Sequence, residues 1–380
     1  MRVLHFGKYA FERAGGMERH VEVLTRGLAA AGVDVSVLVY DPSGLARSRA
    51  VDGVLVEPVR PWFHLGSQAI APGMLGRAYA QARKKRFDLV HQHWPDPFGH
   101  VVASLVPGHP AHVVSWHSDI VRQRVIGPLY LGLAPHLLRR PDAVVGATAA
   151  HLQSRQLDGF VTRELRHVIP YGIDVRPLEP TAEVLRQAEA LRAKYKHQPL
   201  VFALGRHVYY KGFDVLIKAM AQVQAVLILG GEGPLTTQLR GLALSNGARV
   251  EFAGAIPEEE LPAYFHACDV YCLSYIAQAE AFGIVQAEAM ACGKPVVNTW
   301  LHNGVNELAA NNVSALTVDP GDPNALANAL NRVLCNSELA RRLGRGGYLR
   351  VRQDFTVEAM VRKTIDLYAA LLQWRAKQRV

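Results

Sequence analysis

Two glutamates in the second half of the chain have the spacing of a ligand-binding pair. Glu280 precedes a predicted helix, Glu288 lies on that helix, and Gly283 stands where the helix begins. The free amides and the positive dipole end of a helix start favour a bound anion. A bound phosphate would repel both carboxylates, so we expect them to accept hydrogen bonds from sugar hydroxyls. One would suit a hexose and the other a ribose; two ordinary surface glutamates are the simpler alternative.

Two cationic side chains follow the first predicted strand of the second half of the chain. They are Arg206 and Lys211, in the segment 204–212. Ligands of open α/β sheets bind beyond the carboxyl ends of the strands, so these side chains would project to where an anion binds. Arginine binds phosphate through two hydrogen bonds, whereas lysine acts as a compact point charge. The alternative is a solvated loop.

A third candidate is the loop over residues 7–15, between the first predicted strand and the first predicted helix. It ends in Gly15-Gly16-Met17-Glu18. Glycines let the backbone approach a ligand closely, and the helix start behind them suits a phosphate. Taken alone, this pattern equally fits a plain strand-to-helix turn.

The elements that must position these residues are predicted from hydrophobic periodicity. Short apolar runs alternate with helical patterns along the chain, which indicates parallel βα units. In the first half the strands are predicted over residues 2–6, 33–40, 54–59, 88–91, 111–116, 143–147 and 167–169, with a helix over 17–31. In the second half they are predicted over residues 200–204, 225–229, 250–253, 270–273 and 295–298. Strands that are apolar throughout favour sheets covered on both faces.

A stretch rich in proline and glycine, followed by a charged helical segment over 182–195, separates the two halves. This pattern predicts two α/β domains joined near residues 170–198. The last part of the chain, residues 338–380, is helical and basic. A solvated helix face explains that charge most simply, and an anionic membrane surface is the alternative.

Length and composition exclude several classes of protein. The chain has 380 residues, 49% of them hydrophobic, with 42 basic and 33 acidic side chains and a net charge of +9. That excess favours phosphate-rich partners without choosing among them. There is neither a signal-peptide pattern nor an uncharged run of membrane-spanning length. The four cysteines and sixteen histidines show no metal-ligand spacing. We therefore expect a cytoplasmic protein with reduced thiols and no metal site.

Six motifs in this order resemble the retaining glycosyltransferases of family four. They are Gly15-Gly16-Met17-Glu18, the region of His117, Tyr171-Gly172-Ile173-Asp174, Gly205-Arg206 with Lys211, residues 230–234 and residues 280–297. The resemblance covers nearly the full chain. It implies the GT-B fold, an α/β architecture of two Rossmann-like domains that face a central cleft.

The resemblance also implies the reaction and the domain roles. Members of the family transfer a hexose from a nucleotide diphosphate sugar, here a GDP- or UDP-hexose, with retention of configuration and without a metal ion or other cofactor. Residues 1–170 would bind the acceptor and residues 171–358 the nucleotide sugar. The helix over 359–380 would pack back on the first domain.

Positions matching the family motifs give the expected site. Gly15, Gly16, Arg206 and Lys211 would hold the diphosphate, helped by amides at Ala281, Phe282, Gly283 and Ile284. Glu280 would contact the donor hexose, Glu288 the ribose hydroxyls, and the backbone of Ile256 the base. His117 would lie near the transferred sugar as a polarising or positioning group rather than a nucleophile, and Asp119 would orient His117 or contact the acceptor.

Residues 116–123 resemble members that build bacterial surface polysaccharides, often by moving mannose from GDP-mannose to a glycan or lipid-linked glycan. A lipid-linked acceptor would give a role to the basic side chains of the first domain as a peripheral contact with an anionic membrane. These are Arg122, Arg124, Arg139, Arg140 and the run 83–86.

Other functions have less support in the sequence. The dinucleotide fingerprint, the phosphate-binding loop of nucleotide triphosphatases and the D-x-D pair of metal-dependent transferases are absent. Basic clusters are not interleaved with aromatic residues, so nucleic acid is not an expected partner. Three alternatives stay open: a hexosyltransferase that uses a UDP-sugar, a nucleotide-sugar epimerase on the same fold, and a non-catalytic protein that binds sugar nucleotides.

Overall fold

A computed structural model describes residues 1–9, 16–65, 68–118, 130, 132, 134, 138, 140–277 and 282–378. Two compact units make up the chain. The N-terminal unit comprises Met1–Gly172 with Val357–Val380, and the C-terminal unit comprises Ile173–Thr356. The sequence places the two boundaries at residues 170 and 358. The last helix thus belongs to the N-terminal unit, although 184 residues of the other unit precede it in the chain.

The described strands and helices alternate along most of the chain. The strands are β1 (Arg2–Tyr9), β2 (Asp34–Tyr40), β3 (Arg49–Val51), β4 (Val54–Val59), β5 (Phe63–Leu65), β6 (Gln68–Ile70), β7 (Leu89–Trp94), β8 (Ala111–Trp116), β9 (Ala143–Gly146), β10 (Arg166–Val168), β11 (Leu200–Leu204), β12 (Val226–Gly230), β13 (Val250–Gly254), β14 (Val270–Leu273), β15 (Val296–Thr299) and β16 (Ala315–Val318). The α-helices are α1 (Gly16–Ala30), α2 (Gly73–Lys84), α3 (Pro97–Ser104), α4 (Ala182–Lys194), α5 (Phe213–Met220), α6 (Thr236–Ser245), α7 (Leu261–Ala267), α8 (Ile284–Ala291), α9 (Gly304–Leu308), α10 (Pro323–Leu334), α11 (Ser337–Asp354) and α12 (Val357–Lys377).

Each unit is built on a mostly parallel sheet. The N-terminal sheet has the order β10-β9-β8-β7-β1-β2-β4-β3, and only the β3–β4 pair is antiparallel. The C-terminal sheet has the order β13-β12-β11-β14-β15-β16 and is parallel throughout. Strand order reverses at β1 in the first sheet and at β11 in the second, and a doubly wound sheet binds ligands at such a switch point.

Both faces of the N-terminal sheet are buried, as the apolar strands predict. Alternate residues of β1, β2, β7 and β8 face α1 and α12, which contribute Leu24, Leu28, Met360 and Leu371 to this core. The other face packs on α2 and α3. In the C-terminal unit, α5, α6 and α10 cover one face of the sheet. Burial of apolar surface on both sides holds the carboxyl ends of the strands in fixed positions.

The strands and helices predicted from periodicity are confirmed, with boundaries displaced by a few residues. Four strands were not predicted: β3, β5, β6 and β16. Each has only three or four residues. All four cysteines are free thiols. Each helix within the described ranges is either too short or too polar to span a bilayer.

Candidate active site

Several predicted site residues lie at the carboxyl edge of the C-terminal sheet. Four neighbouring strands end there, in the order β13, β12, β11 and β14. Ile256 follows β13, the glycine-rich segment 230–234 closes β12, and Arg206 follows β11. Parallel strands bring these loops to one edge of the sheet, so residues 25 to 50 positions apart in sequence become neighbours.

Close backbone packing between two of these loops requires glycine. Gly231 has φ +100°, and a Cβ atom there would lie 2.1 Å from the carbonyl oxygen of Gly205. The amide of His207 donates to the carbonyl of Glu232 at 3.0 Å, which ties the loops together. The exposed side chain of Arg206 projects from this paired backbone. A larger residue at position 231 would push the loops apart and displace Arg206.

Lys211 is held in place by residues at the end of β14. Its side chain is only 8% exposed and donates to the hydroxyl of Tyr275, with Nζ 3.9 Å from the centre of that ring. The hydroxyl of Ser274 donates to the carbonyl of Lys211 at 2.9 Å. Gly212, with φ +63°, follows at a point where a Cβ atom would lie 2.1 Å from the carbonyl oxygen of Ser274. Tyr275 is a site residue that sequence reasoning missed, because an aromatic residue just after a strand carries no specific signal.

Helix α8 begins where the sequence predicts. Gly283 is its N-cap with φ +73°, and Ile284 is the first helical residue. The ring of Phe282 is buried against Phe355, with ring centroids 5.9 Å apart, so only its backbone remains available to an anion. The first turn of α8 therefore offers main-chain amides beyond β14.

Glu288 lies on the same helix and is partly buried. Burial, with a smaller contribution from the nearby charge of Glu258, raises the pKa of Glu288 to about 7. Glu258 stands two residues after Ile256, so the end of the β13 loop and α8 are neighbours. A carboxyl group with this pKa changes its hydrogen-bonding capacity near neutral pH.

Four predicted site residues lie outside the described ranges: Gly15, Asp119, Glu280 and Ala281. The same holds for Arg122, Arg124 and Arg139, whereas Arg140 is described and exposed.

The N-terminal unit brings together the start of α1, His117 and Tyr171. Gly16 is the first residue of α1, and His20 lies one turn further along that helix. The ring of His20 has its centroid 5.0 Å from that of His117 and 4.5 Å from that of Tyr171. The motifs at His117 and Tyr171 therefore meet here, next to the helix that follows the first motif.

His117 belongs to a group of five neighbouring histidines, which we call the histidine cluster. Its members are His5, His20, His91, His93 and His117. Register explains the convergence: His5 on β1 pairs with His91 on β7, and His93 on β7 pairs with Ser115 on β8. Side chains at alternate positions share a face, so these rings lie together under α1 and α12.

This cluster was not predicted, because its histidines come from separate segments and show no metal-ligand spacing along the sequence. The available signal was the His-x-His alternation at 91 and 93, combined with histidines at matching positions on the neighbouring strands.

Hydrogen bonds connect three of these rings in series. Nδ1 of His5 and Nε2 of His93 are 3.2 Å apart, and Nδ1 of His93 and Nε2 of His117 are 3.1 Å apart. Nδ1 of His117 lies 2.5 Å from the hydroxyl of Tyr171. Both ring nitrogens of His117 are thus engaged within the N-terminal unit. His91 stands outside the series, bonded to the hydroxyls of Ser115, at 2.8 Å, and Tyr368.

The histidine cluster is electrically neutral near neutral pH. Burial lowers the pKa of His5 to about 3 and that of His20 to about 4. Burial likewise lowers the pKa of His91, His93 and His117 well below the usual range, and the neighbouring imidazoles add to the effect. A neutral imidazole has one donor and one acceptor, so each ring must hold a defined tautomer.

Two sets of three histidines in the described residues have ring nitrogens close enough to hold a metal ion. They are His5 with His91 and His93, and His20 with His93 and His117, with ligand atoms within 4.8 Å of one another. This proximity contrasts with the sequence-based expectation, since linear spacing does not reveal residues that meet across strands. Within the series, the nitrogens of His5, His93 and His117 contact one another as hydrogen-bond partners.

Two family models match the chain. One is described as Glycosyltransferase Family 4 and matches residues 14–176. The other is described as Glycosyl transferases group 1 and matches residues 187–350. Together they cover most of both units.

Similar proteins include an O-antigen chain mannosyltransferase C from Escherichia coli, 26% identical over 98% of this chain and 99% of the relative. The D-rhamnosyltransferase WbpZ of Pseudomonas aeruginosa is 30% identical over 94% of this chain and 92% of its own length. Among solved structures, a sucrose-phosphate synthase from Thermosynechococcus elongatus aligns with a TM-score of 0.72 and 25% identity, over 98% of this chain and 99% of that one. HepE from Anabaena in complex with UDP aligns with a TM-score of 0.77 and 21% identity, over 97% and 100% of the two chains.

These matches extend over nearly the full length on both sides, and the architecture of two Rossmann-like units agrees with them. The expected fold class is therefore confirmed as GT-B, and the chain belongs to glycosyltransferase family 4.

Proposed function

We propose that this glycosyltransferase is a retaining, metal-independent enzyme of polysaccharide biosynthesis that moves a hexose from a nucleotide diphosphate sugar to a glycan or lipid-linked glycan. The C-terminal unit would bind the nucleotide sugar and the N-terminal unit the acceptor. The observation that carries the proposal is the placement of Arg206 and the buried Lys211 at the carboxyl edge of the C-terminal sheet, where the amide-rich start of α8 follows the neighbouring strand β14.

This placement suits the stabilisation of a leaving diphosphate. As the glycosidic bond breaks, negative charge grows on the diphosphate oxygens. Lys211 is held by Tyr275 and the amides of α8 belong to the backbone, so these groups can meet that charge with little reorganisation, and the exposed Arg206 can add a second positive charge. They supply the positive charge that a divalent cation supplies in other transferases.

Retention follows if the acceptor attacks from the side on which the diphosphate leaves. The acceptor oxygen forms the new bond to the anomeric carbon, the bond to the phosphate oxygen breaks, and the acceptor proton passes to that phosphate oxygen. His117 would contribute as a neutral hydrogen-bonding group rather than as a nucleophile.

We propose mannose from GDP-mannose as the donor, because the Escherichia coli relative is named a mannosyltransferase of the O-antigen chain. A UDP-hexose is the main alternative, since HepE was solved with UDP. Thermal unfolding with GDP, UDP, ADP and NAD in parallel separates these donors. A nucleotide at a hundred times its Kd stabilises the folded protein by about 2.7 kcal/mol. We expect GDP to raise Tm and NAD to leave it unchanged.

The same measurement tests the role of Glu288 through its pKa of about 7. An ionised carboxylate accepts stronger hydrogen bonds from ribose hydroxyls than a neutral carboxyl does. The GDP-induced shift should therefore be larger at pH 8 than at pH 6, and Glu288→Gln should abolish that difference. A shift independent of pH in the unmodified protein would remove Glu288 from the ribose site. No shift with any nucleotide would contradict the proposed donor class.

Turnover distinguishes a transferase from the epimerase and the non-catalytic alternatives. With donor and glycan acceptor present, the anomeric proton signal of the product should show the configuration of the donor. Inversion would contradict the retaining mechanism, and consumption of donor without acceptor would favour the epimerase.

A peripheral membrane contact is a further part of the proposal, and it is supported by exposed side chains of the N-terminal unit. Residues 83–86 at the end of α2 are basic and exposed, and Trp62 and Phe63 expose 76% and 54% of their surface. Exposed basic side chains suit the anionic headgroups of a membrane, and exposed aromatic side chains suit its interface. Salt-sensitive co-sedimentation with vesicles that contain phosphatidylglycerol is expected; the absence of binding would remove this part.

A further inference from the structure

The series of hydrogen-bonded histidines has two ends of different character. At one end Nδ1 of His117 faces the hydroxyl of Tyr171, and both residues are partly exposed. At the other end Nε2 of His5 is fully buried and has no hydrogen-bond partner among the described residues. Because the series of hydrogen bonds ends at Nε2 of His5, which has no partner, it cannot pass protons through the protein.

Its neutral imidazoles must all point in the same direction. Each junction, at 3.2 and 3.1 Å, needs one N–H facing one lone pair, because two lone pairs or two protons would repel each other at that distance. One arrangement puts the proton of His5 on Nδ1 and leaves a lone pair at the buried Nε2. The opposite arrangement leaves a buried N–H without an acceptor at Nε2, which is the rarer situation in proteins.

The favoured direction fixes the proton at every ring. His5 donates through Nδ1 to Nε2 of His93, and His93 donates through Nδ1 to Nε2 of His117. His117 then carries its proton on Nδ1, where it faces Tyr171.

We propose that His5 and His93 are positioning residues, which act through this one-way series of hydrogen bonds to keep His117 as an Nδ1–H donor to the hydroxyl of Tyr171, at the partly exposed end of the series. The effect of His117 on turnover rests on the proposed function. The Nδ1-protonated tautomer of His117 does not, because it is a property of the protein without substrate. Both positioning residues are fully buried, so they would act through His117 rather than on the substrate.

The same buried cluster provides variants that separate this role from general packing. His5→Asn places an amide N–H near the position of Nδ1 and keeps the donor to His93. His5→Leu fills similar space without a donor. His91→Leu is the matched control. His91 is buried on the same sheet face, but its hydrogen-bond partners are Ser115 and Tyr368, which do not belong to the series of histidines.

The tautomer of His117 can be measured without substrate by ¹⁵N–¹H correlation spectra of the histidine rings in the full-length, histidine-labelled protein. The variant His117→Asn assigns the signal of His117. The unmodified protein, His5→Asn and His91→Leu should all show His117 protonated at Nδ1, whereas His5→Leu should show a mixture of both tautomers. In turnover assays with donor and acceptor, His5→Leu should lower kcat about tenfold with KM unchanged, and His5→Asn should restore kcat to within about twofold.

Three results would overturn the proposal. The first is a proton on Nε2 of His117 in the unmodified protein. The second is the same His117 tautomer in His5→Leu and His5→Asn. The third is a transition metal that co-purifies at one ion per chain and is lost in His5→Asn, since the nitrogens would then be ligands rather than hydrogen-bond partners. If His5→Leu does not fold, the spectra of the unmodified protein and the metal content still decide. If the proposed function is wrong, neither the unmodified protein nor the variants will show turnover, but the spectra will still report the tautomer of His117.

Discussion

Acidification from pH 7.5 to pH 5 is expected to unfold the N-terminal unit before the C-terminal unit. His5, His91 and His93 are fully buried, and each has a lowered pKa in the folded protein. In the unfolded chain a histidine titrates near its usual pKa of about 6.5. The unfolded state therefore binds more protons as the pH falls, so the stability present above about pH 6.5 is lost progressively below it.

The size of this effect is comparable with the stability of a whole domain. At pH 5 each buried neutral histidine costs about 2 kcal/mol, so these three cost about 6 kcal/mol. Typical domains are stable by roughly 5–15 kcal/mol. Asp96, also buried in the N-terminal unit, acts in the opposite direction because burial raises the pKa of its carboxyl group. Among its described residues, the C-terminal unit has two histidines with lowered pKa, His207 and His266, and the pKa of each is lowered less than that of the three histidines of the N-terminal unit on which this effect depends.

Hydrogen exchange followed by mass spectrometry measures the two units separately, after correction for the intrinsic pH dependence of exchange. Peptides from β1, β7 and β8 should lose protection between pH 6 and pH 5, while peptides from β11 and β12 keep theirs. His5→Asn should lower the midpoint pH, because one fewer proton is taken up on unfolding. Equal protection of both units at pH 5 would show that the histidine cluster does not limit acid stability.

Lys211→Met is expected to lower kcat by about 100- to 1000-fold, with a smaller effect on KM. The methionine keeps an apolar side chain beside the ring of Tyr275 and removes the charge that lies 3.9 Å from the ring centre. That charge would act mainly on the diphosphate as it leaves, so its loss should appear in kcat rather than in substrate binding.

Two further variants control for the position and the presence of the charge. Tyr275→Phe removes only the hydroxyl that accepts from Lys211 and should cost less than about tenfold in kcat. Lys218→Met removes an exposed lysine of α5 and should leave kcat unchanged. Steady-state kinetics give kcat and KM of all three variants, and thermal unfolding checks that each variant is folded. Full activity in Lys211→Met would exclude Lys211 from the stabilisation of the leaving group.

Much of the fold could be predicted from local sequence pattern. Apolar runs placed β11, β12 and β14, because strands buried on both faces are mostly apolar throughout. Gly283 marked the start of α8, since only glycine tolerates its positive φ at no steric cost. Arg206 could be placed at a strand end because the apolar run before it predicts the strand β11.

The sequence by itself thus determined the two α/β units, the order of their strands along the chain and the family. Which strands lie side by side was decided only by the tertiary structure, and that choice created the histidine cluster. His5 and His93 are 88 residues apart, and they meet because β1 lies between β2 and β7 in the sheet. Burial then lowers the pKa of these histidines and raises that of Glu288. Local periodicity records which face of a strand is buried but not which strand lies beside it, so contacts and electrostatics across strands become visible only in the folded chain.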